Sequence, residues 1–425
     1  MALAADAPKD SFRLSMLVYD TRYRSYTIQI VVLVLFGMAL AWLLNNTAQN
    51  LALRGKEFNF GFLWQRAGYD IGQQLIPYSN DSTHFRALLV GLLNTLIVAF
   101  WGCIFATVIG TIVGVLRLSK NWLVSRLMTV YVEMFRNVPL LLWILLSYVI
   151  LSETTPAPRD FRVTDEMAAA GTEPAASMMF FDTVAVTNRG TNIPAPVFER
   201  GLGTLDLGFM SLNLTFWAVA AVIVASVFIN RRMVVGARAQ QEATGIRPVI
   251  WWKSILILFG PVIALLVAMG LDLEVPELKG FNFQGGILVA HSFTALTIAL
   301  SLYTAAFVAE IVRAGILAIS RGQTEAAFAL GLRPNRTMSL IILPQALRVI
   351  IPPLISQYLN LTKNTSLGIA VSYLDLRGTL GGITLNQTGR ELESMLLMMM
   401  IYLSLSLIIS AVMNMYNRAV QLKAR

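Results

Sequence analysis

The chain has 425 residues, of which 56% are hydrophobic and only 13% charged, with a mean hydropathy of +0.64. A soluble domain carries about 25% charged residues, so this composition excludes an ordinary water-facing globule and points to lipid. The net charge of +9 is scattered in short loops between apolar runs, which excludes the continuous basic face that nucleic acid requires.

A helix that crosses a bilayer needs roughly 20 mostly apolar residues. Eight stretches meet that requirement, at about 27–45, 86–115, 127–151, 212–230, 250–270, 287–312, 338–361 and 394–415. The first has too long an apolar run for a signal peptide, and "WLLNNTAQN" after it lacks a small-x-small cleavage site, so it reads as a retained span. Cys103, the single cysteine, sits in the second stretch; it excludes an internal disulfide framework and reads as buried and inert. In the third, Arg136 and Asn137 precede Pro139, where proline predicts a kink that frees backbone groups. Residues 152–211 hold "TTPAPRD", "GTEPAAS" and "NIPAPVF" and predict an irregular outer loop without a core of its own. Glu310 and Arg313 stand at i,i+3 in the sixth stretch and predict a structural ion pair near the inner surface. Pro352-Pro353 and then Gly378, Gly381 and Gly382 predict kinks and a flexible outer loop. His84 and His291 have no HExxH-type spacing, so no metal site is expected. Lysine and arginine are denser in alternate loops, which places both termini in the cytoplasm.

Polar side chains inside spans are costly and usually face a bundle interior or a cavity. Gln345, Arg348, Pro352, Ser356 and Asn360 recur every three or four residues, on one face of the seventh stretch. Thr294, Thr297, Ser301 and Thr304 do the same in the sixth. Two facing stripes would line a path for a zwitterion; small hydroxyls also serve simply to pack helices. Arg348 reads as functional or as a snorkelling cation. Lys363 and Asn364 would attract a carboxylate or act as interfacial anchors. Of these, Thr297, Ser301, Gln345, Arg348, Ser356, Asn360, Lys363 and Asn364, together with Arg136, are the candidate pathway residues.

The most informative stretch is "RGQTEAAFALGL". Gly322 is placed to cap a two-turn helix, Glu325 suits its positive end, and Gly331 suits the left-handed position that stops it. By spacing alone this is a short surface connector. Glu325-Ala326-Ala327, Gly331, and then Ile341 with Leu343-Pro344 resemble the EAA motif of ABC-importer permeases. "YTAAFVAEIVRAGI", "LPQALRVIIPPL" and "KNTSLGIAVSYLDL" extend that resemblance, as does the 91–142 stretch, to the polar amino-acid permeases over roughly 91–151 and 287–418.

The resemblance implies an all-α integral membrane protein, a polytopic bundle of about eight transmembrane helices with a MetI-like, type I ABC importer permease core. It implies a coupling helix near 322–331, with Gly322, Gln323, Glu325, Ala326, Ala327 and Gly331, that seats in a groove of a cytoplasmic ATPase. The domains are then 1–85, with the cytoplasmic N-terminus and an extra span; 86–151, the first part of the core; 152–286, an insertion with two further spans; and 287–425, the rest of the core. That layout is similar to the long permease subunit of general L-amino-acid ABC importers. The insertion suits lipid contact and bulk as well as docking of a binding protein. The implied partners are an ATPase dimer, a periplasmic amino-acid-binding protein, a second permease and the lipid of the inner membrane. No GxxxxGK[ST] phosphate loop is present, so ATP and magnesium are expected on the ATPase, with no cofactor and no catalysis on this chain. The competing class is an ion-driven secondary transporter, which internal repeats and mid-membrane carboxylates would favour.

Overall fold

The computed structural model describes residues 16–53, 58–163, 174–206, 211–246 and 248–420. The chain divides into two units, Met1–Leu63 and Trp64–Arg425. The first holds α1 (Thr21–Leu53), whose apolar part, Tyr23–Asn50, is longer than the 27–45 stretch expected from sequence. The second holds α2 (His84–Leu116), α3 (Trp122–Asn137), α4 (Leu140–Thr154), α5 (Leu214–Thr244), α6 (Trp251–Ala268), α7 (His291–Leu317), α8 (Arg321–Ala329), α9 (Leu343–Asn364) and α10 (Glu391–Val420). Among the described residues, seven helical runs are long and apolar enough to cross a membrane, or eight when α3 and α4 count as one broken span.

α2 and α7 run parallel at the centre. Gly102, Ala106, Gly110 and Gly114 recur every fourth residue along α2, and all are buried. A Cβ at Gly110 would lie 2.8 Å from the Ala305 carbonyl and 2.6 Å from Val308 Cβ; one at Gly114 would lie 2.6 Å from the Ala309 carbonyl. Helices in lipid gain little from hydrophobic burial against each other, so close backbone approach at small residues supplies the attraction. Val98, Leu140, Ile144, Leu296, Leu300 and Leu361 close the core around this pair.

The third predicted span is not one kinked helix: α3 and α4 meet at 106° around Pro139. Proline cannot donate to the ladder, and Phe135 and Trp143 stack across the corner with centroids 4.2 Å apart, which holds the bend.

Residues 174–206 and 211–213 also depart from the irregular loop expected. They form β1 (Ala185–Thr187), β2 (Gly190–Ile193), β3 (Ala195–Phe198), β4 (Thr204–Asp206) and β5 (Ser211–Asn213). β6 (Leu271–Glu274), β7 (Glu277–Lys279), β8 (Asn282–Gln284) and β9 (Ile287–Val289) follow α6. All pairs are antiparallel, β2 with β9 and β3 with β6 among them, so the two halves of the insertion are stitched together. Phe161 meets Phe283 edge-on at 5.3 Å, giving this layer a small core. The stretch expected to begin the sixth span at 287 is strand until Val289; the helix begins at His291, whose Nε2 lies 2.6 Å from the Thr187 carbonyl.

Residues 365–388 are not a flexible loop. They fold as short helical turns against the start of α2, with Tyr373, Asp375, Leu376, Gly378, Thr379 and Leu380 buried. Gly91 makes this approach possible, since a Cβ there would lie 2.8 Å from the Asp375 carbonyl.

Candidate functional site

α8 forms at the end of the membrane run of α7, on the side opposite the strands. Its N-cap is Ser320, and Gly322 falls inside the first turn, which corrects the expected cap. Gly331 does stop it, at φ +75°. The Gly331 N–H donates to the Phe328 carbonyl at 2.9 Å and the Leu332 N–H to the Ala327 carbonyl at 3.1 Å, the paired bonds of a Schellman ending.

Ala327 is buried, whereas Gly322, Gln323, Glu325, Ala326 and Gly331 are exposed. Phe328 and Leu330, which the motif did not single out, are 49% and 81% exposed. A nine-residue helix with one large apolar side chain exposed on it and another just past its end presents a surface suited to another protein. Gln345 Nε2 reaches Gln323 Oε1 at 3.4 Å, linking α8 to the base of α9. Between them, Leu343 N–H bonds back five residues to Met338, because Pro344 has no N–H and the helix widens by one residue there.

α9 meets α7 through Ala346 and Ile350, which pack on Val308 and Val312. Its polar residues lie elsewhere on its surface. Pro352, Ser356, Asn360 and Lys363 are exposed, and Gln345, Arg348 and Asn364 are half-buried. Arg348 Nε has no hydrogen-bond partner among the described residues. Pro352 and Pro353 cannot donate to the Arg348 and Val349 carbonyls, so acceptors accompany the unpaired cation on this helix.

Thr294, Thr297 and Ser301 of α7 line a separate cavity of about 230 Å³ with Phe105 and Ile109 of α2. Ser301 donates to the Thr297 carbonyl at 2.5 Å, while the Thr297 hydroxyl has no hydrogen-bond partner among the described residues. Arg136 sits at the α3–α4 corner, 5.4 Å above the Phe307 ring of α7, and joins neither group. Thr294, Thr297 and Ser301 thus share a cavity with α2 to which α9 contributes no residue.

Sequence reasoning missed two clusters. Glu310 pairs with Arg313 at 2.5 Å as expected, but also with Arg117 from the end of α2, 193 residues away. At the other end, Asp375 is fully buried and caps a helical turn by accepting from the Gly378 N–H at 2.9 Å; the Tyr402 hydroxyl donates to it at 3.2 Å. Burial pushes the Asp375 carboxyl up to about 6, against the pull of the Gly378 and Tyr402 hydrogen bonds. Asn94 Nδ2 bridges the Gln73 and Leu374 carbonyls beside it. The signals were an amide inside an apolar 33-residue helix and an aspartate three residues before a glycine.

A family model described as "Binding-protein-dependent transport system inner membrane component" matches residues 245–422. Over an alignment of 426 positions that covers all of both chains, the sequence is 68% identical to the glutamate/glutamine/aspartate/asparagine transport system permease protein BztB of Rhodobacter capsulatus. The chain belongs to the amino-acid permeases of ABC transport systems. This permease is also 43% identical to the general L-amino acid transport system permease protein AapQ of Rhizobium johnstonii, over 98% of this chain and 96% of that one. The glutamate/aspartate import permease protein GltK of Escherichia coli is 32% identical over 42% of this chain but 80% of its own. The ion-driven transporter is thereby set aside. As an inner-membrane component of a binding-protein-dependent ABC system, the permease works with an ATPase and a substrate-binding protein.

Proposed function

We propose that this permease takes up L-amino acids with broad specificity, acidic and amide side chains included, and moves them inward through a path bounded by the polar face of α9. The observation that carries the coupling part of this reading is α8: an exposed helix with a defined stop, unpaired apolar side chains and a hydrogen bond to the base of α9. An ATPase groove that grips Glu325, Ala326 and Phe328 would pull on Gln323, and through Gln345 on α9. Bound ATP and magnesium belong to that ATPase, and this chain performs no bond chemistry.

Arg348 and Lys363 offer positive charge to a carboxylate, and the carbonyls freed by Pro352 and Pro353 offer acceptors to an ammonium group. One α8 serves one groove, so an ATPase dimer requires two permeases; the extra spans of this chain favour a shorter, different partner. Both termini and α8 lie in the cytoplasm, and the strands lie outside.

Two measurements test this. Proteoliposomes holding the complete transporter should accumulate labelled glutamate and glutamine only with ATP and loaded binding protein, and competition across amino acids should be broad. Native mass spectrometry should find one copy of this chain beside a second permease; a transport-competent complex with two copies and no other permease would overturn the hetero-pair. For orientation, impermeant thiol reagents should label cysteines placed at Ser177 or Asn188 from outside, and not one at Gln323.

A further inference from the structure

The inserted hairpin α5–α6 carries a feature that the transport reading does not use. α5 has 31 residues, about 46 Å of helix, against roughly 30 Å of hydrocarbon, so its last turns leave the bilayer. β5 precedes α5, and β6, which pairs with β3, follows α6. The open ends of the hairpin therefore lie at the strands and its closed turn on the opposite side, with α8.

In the turn-side half of the hairpin, Arg231, Arg232 and Arg238 of α5 and Lys253 at the start of α6 are all exposed. None has an acidic partner within ion-pair distance among the described residues. Glu242 is the only acidic residue between 231 and 253. Trp251 and Trp252, next to Lys253 in the first turn of α6, are 68% and 50% exposed. The Arg232 guanidinium lies 4.7 Å over the Phe228 ring and the Lys253 ammonium 5.4 Å over the Trp252 ring.

The depth of these cations follows from their neighbours. α5 and α6 pack on each other, and Val224, Phe228, Ile255, Leu256 and Phe259 remain exposed immediately next to the basic turn. Such side chains require lipid tails, and tryptophan settles at the headgroup level. Unpaired cations stacked on aromatic rings at that level meet phosphodiesters. A protein partner would meet the cations without satisfying the apolar surface that runs straight into them.

We propose that the turn end of the α5–α6 hairpin is a binding site for anionic phospholipid headgroups, held by Arg231, Arg232, Arg238 and Lys253. The site anchors the insertion in one leaflet, independently of which amino acids are carried.

The test uses the complete transporter in nanodiscs of phosphatidylglycerol with phosphatidylcholine, released into native mass spectrometry. The wild type should retain phosphatidylglycerol selectively, and Arg232→Gln with Lys253→Gln should weaken that retention on the order of tenfold. Arg232→Lys should keep it, because charge and not guanidinium shape recognises the headgroup. Raising salt to about 0.5 M should release the lipid from the wild type by screening. Equal phosphatidylglycerol retention in the wild type and the double glutamine variant, or retention insensitive to salt, would overturn the site. Loss of the ATPase subunit from the variant with lipid adducts unchanged would assign the surface to a protein contact and overturn it equally.

Discussion

Replacing Gly331 with aspartate isolates the role of α8. Gly331 holds φ +75°, and a Cβ there meets nothing within 4 Å, so the substitution creates no clash. The cost is conformational and electrostatic. A non-glycine residue in the left-handed region costs about 1–2 kcal/mol, and aspartate lies at the low end. Its charge beside the negative end of the helix dipole adds about 0.3–1 kcal/mol. Against those terms stand only the two hydrogen bonds from Gly331 and Leu332. Together they shift the balance between the capped and frayed ending by roughly tenfold. The buried seams of α2 and α7 are untouched, so membrane abundance should stay normal while uptake falls severely. ATPase activity in proteoliposomes should lose its stimulation by loaded binding protein. Gly331→Asn, which adopts the same backbone without the charge, should fall between. Uptake and stimulated ATPase activity at wild-type levels in Gly331→Asp would refute the coupling role and leave α8 a connector.

Arg348→Ala should lower uptake more than Thr297→Ala at matched membrane levels, because Arg348 supplies a cation on α9 without a partner among the described residues, whereas Thr297 offers only a small, uncharged hydroxyl; equal, near-normal uptake would make Arg348 a snorkelling side chain. Gly110→Val should lower the melting temperature of the detergent-solubilised chain by overpacking worth about 1–3 kcal/mol, since its first added carbon already meets Val308 and Ala305. Asp375 holds its proton more tightly when folded, with a pKa of about 6 against 3.8, so stability should rise as pH falls through 6 and the gain, about 3 kcal/mol, should be complete near about 4. Asp375→Asn should flatten that part of the profile by thermal denaturation across pH; an unchanged slope would place the titrating group elsewhere.

Features governed by a short window of sequence were legible without coordinates. A span announces itself by about 20 apolar residues, the end of α8 by one glycine, and the Glu310–Arg313 pair by its i,i+3 spacing. Even there, capping proved sensitive to a shift of two residues: the chain enters the helix at Ser320, before Gly322. Tertiary structure alone decided what depended on distant partners. Pro139 marked a break, but its angle came from Phe135 stacking on Trp143 and from the packing of α4 on α7. The proline-rich insertion read as irregular because each strand is only three or four residues long, and its order comes from pairing across two intervening helices. A polar stripe also reads identically whether it faces a path or a neighbouring helix. α9 left its polar residues exposed or half-buried, whereas Thr294, Thr297 and Ser301 of α7 line a cavity with α2, whose backbone Gly110 and Gly114 let come close to α7.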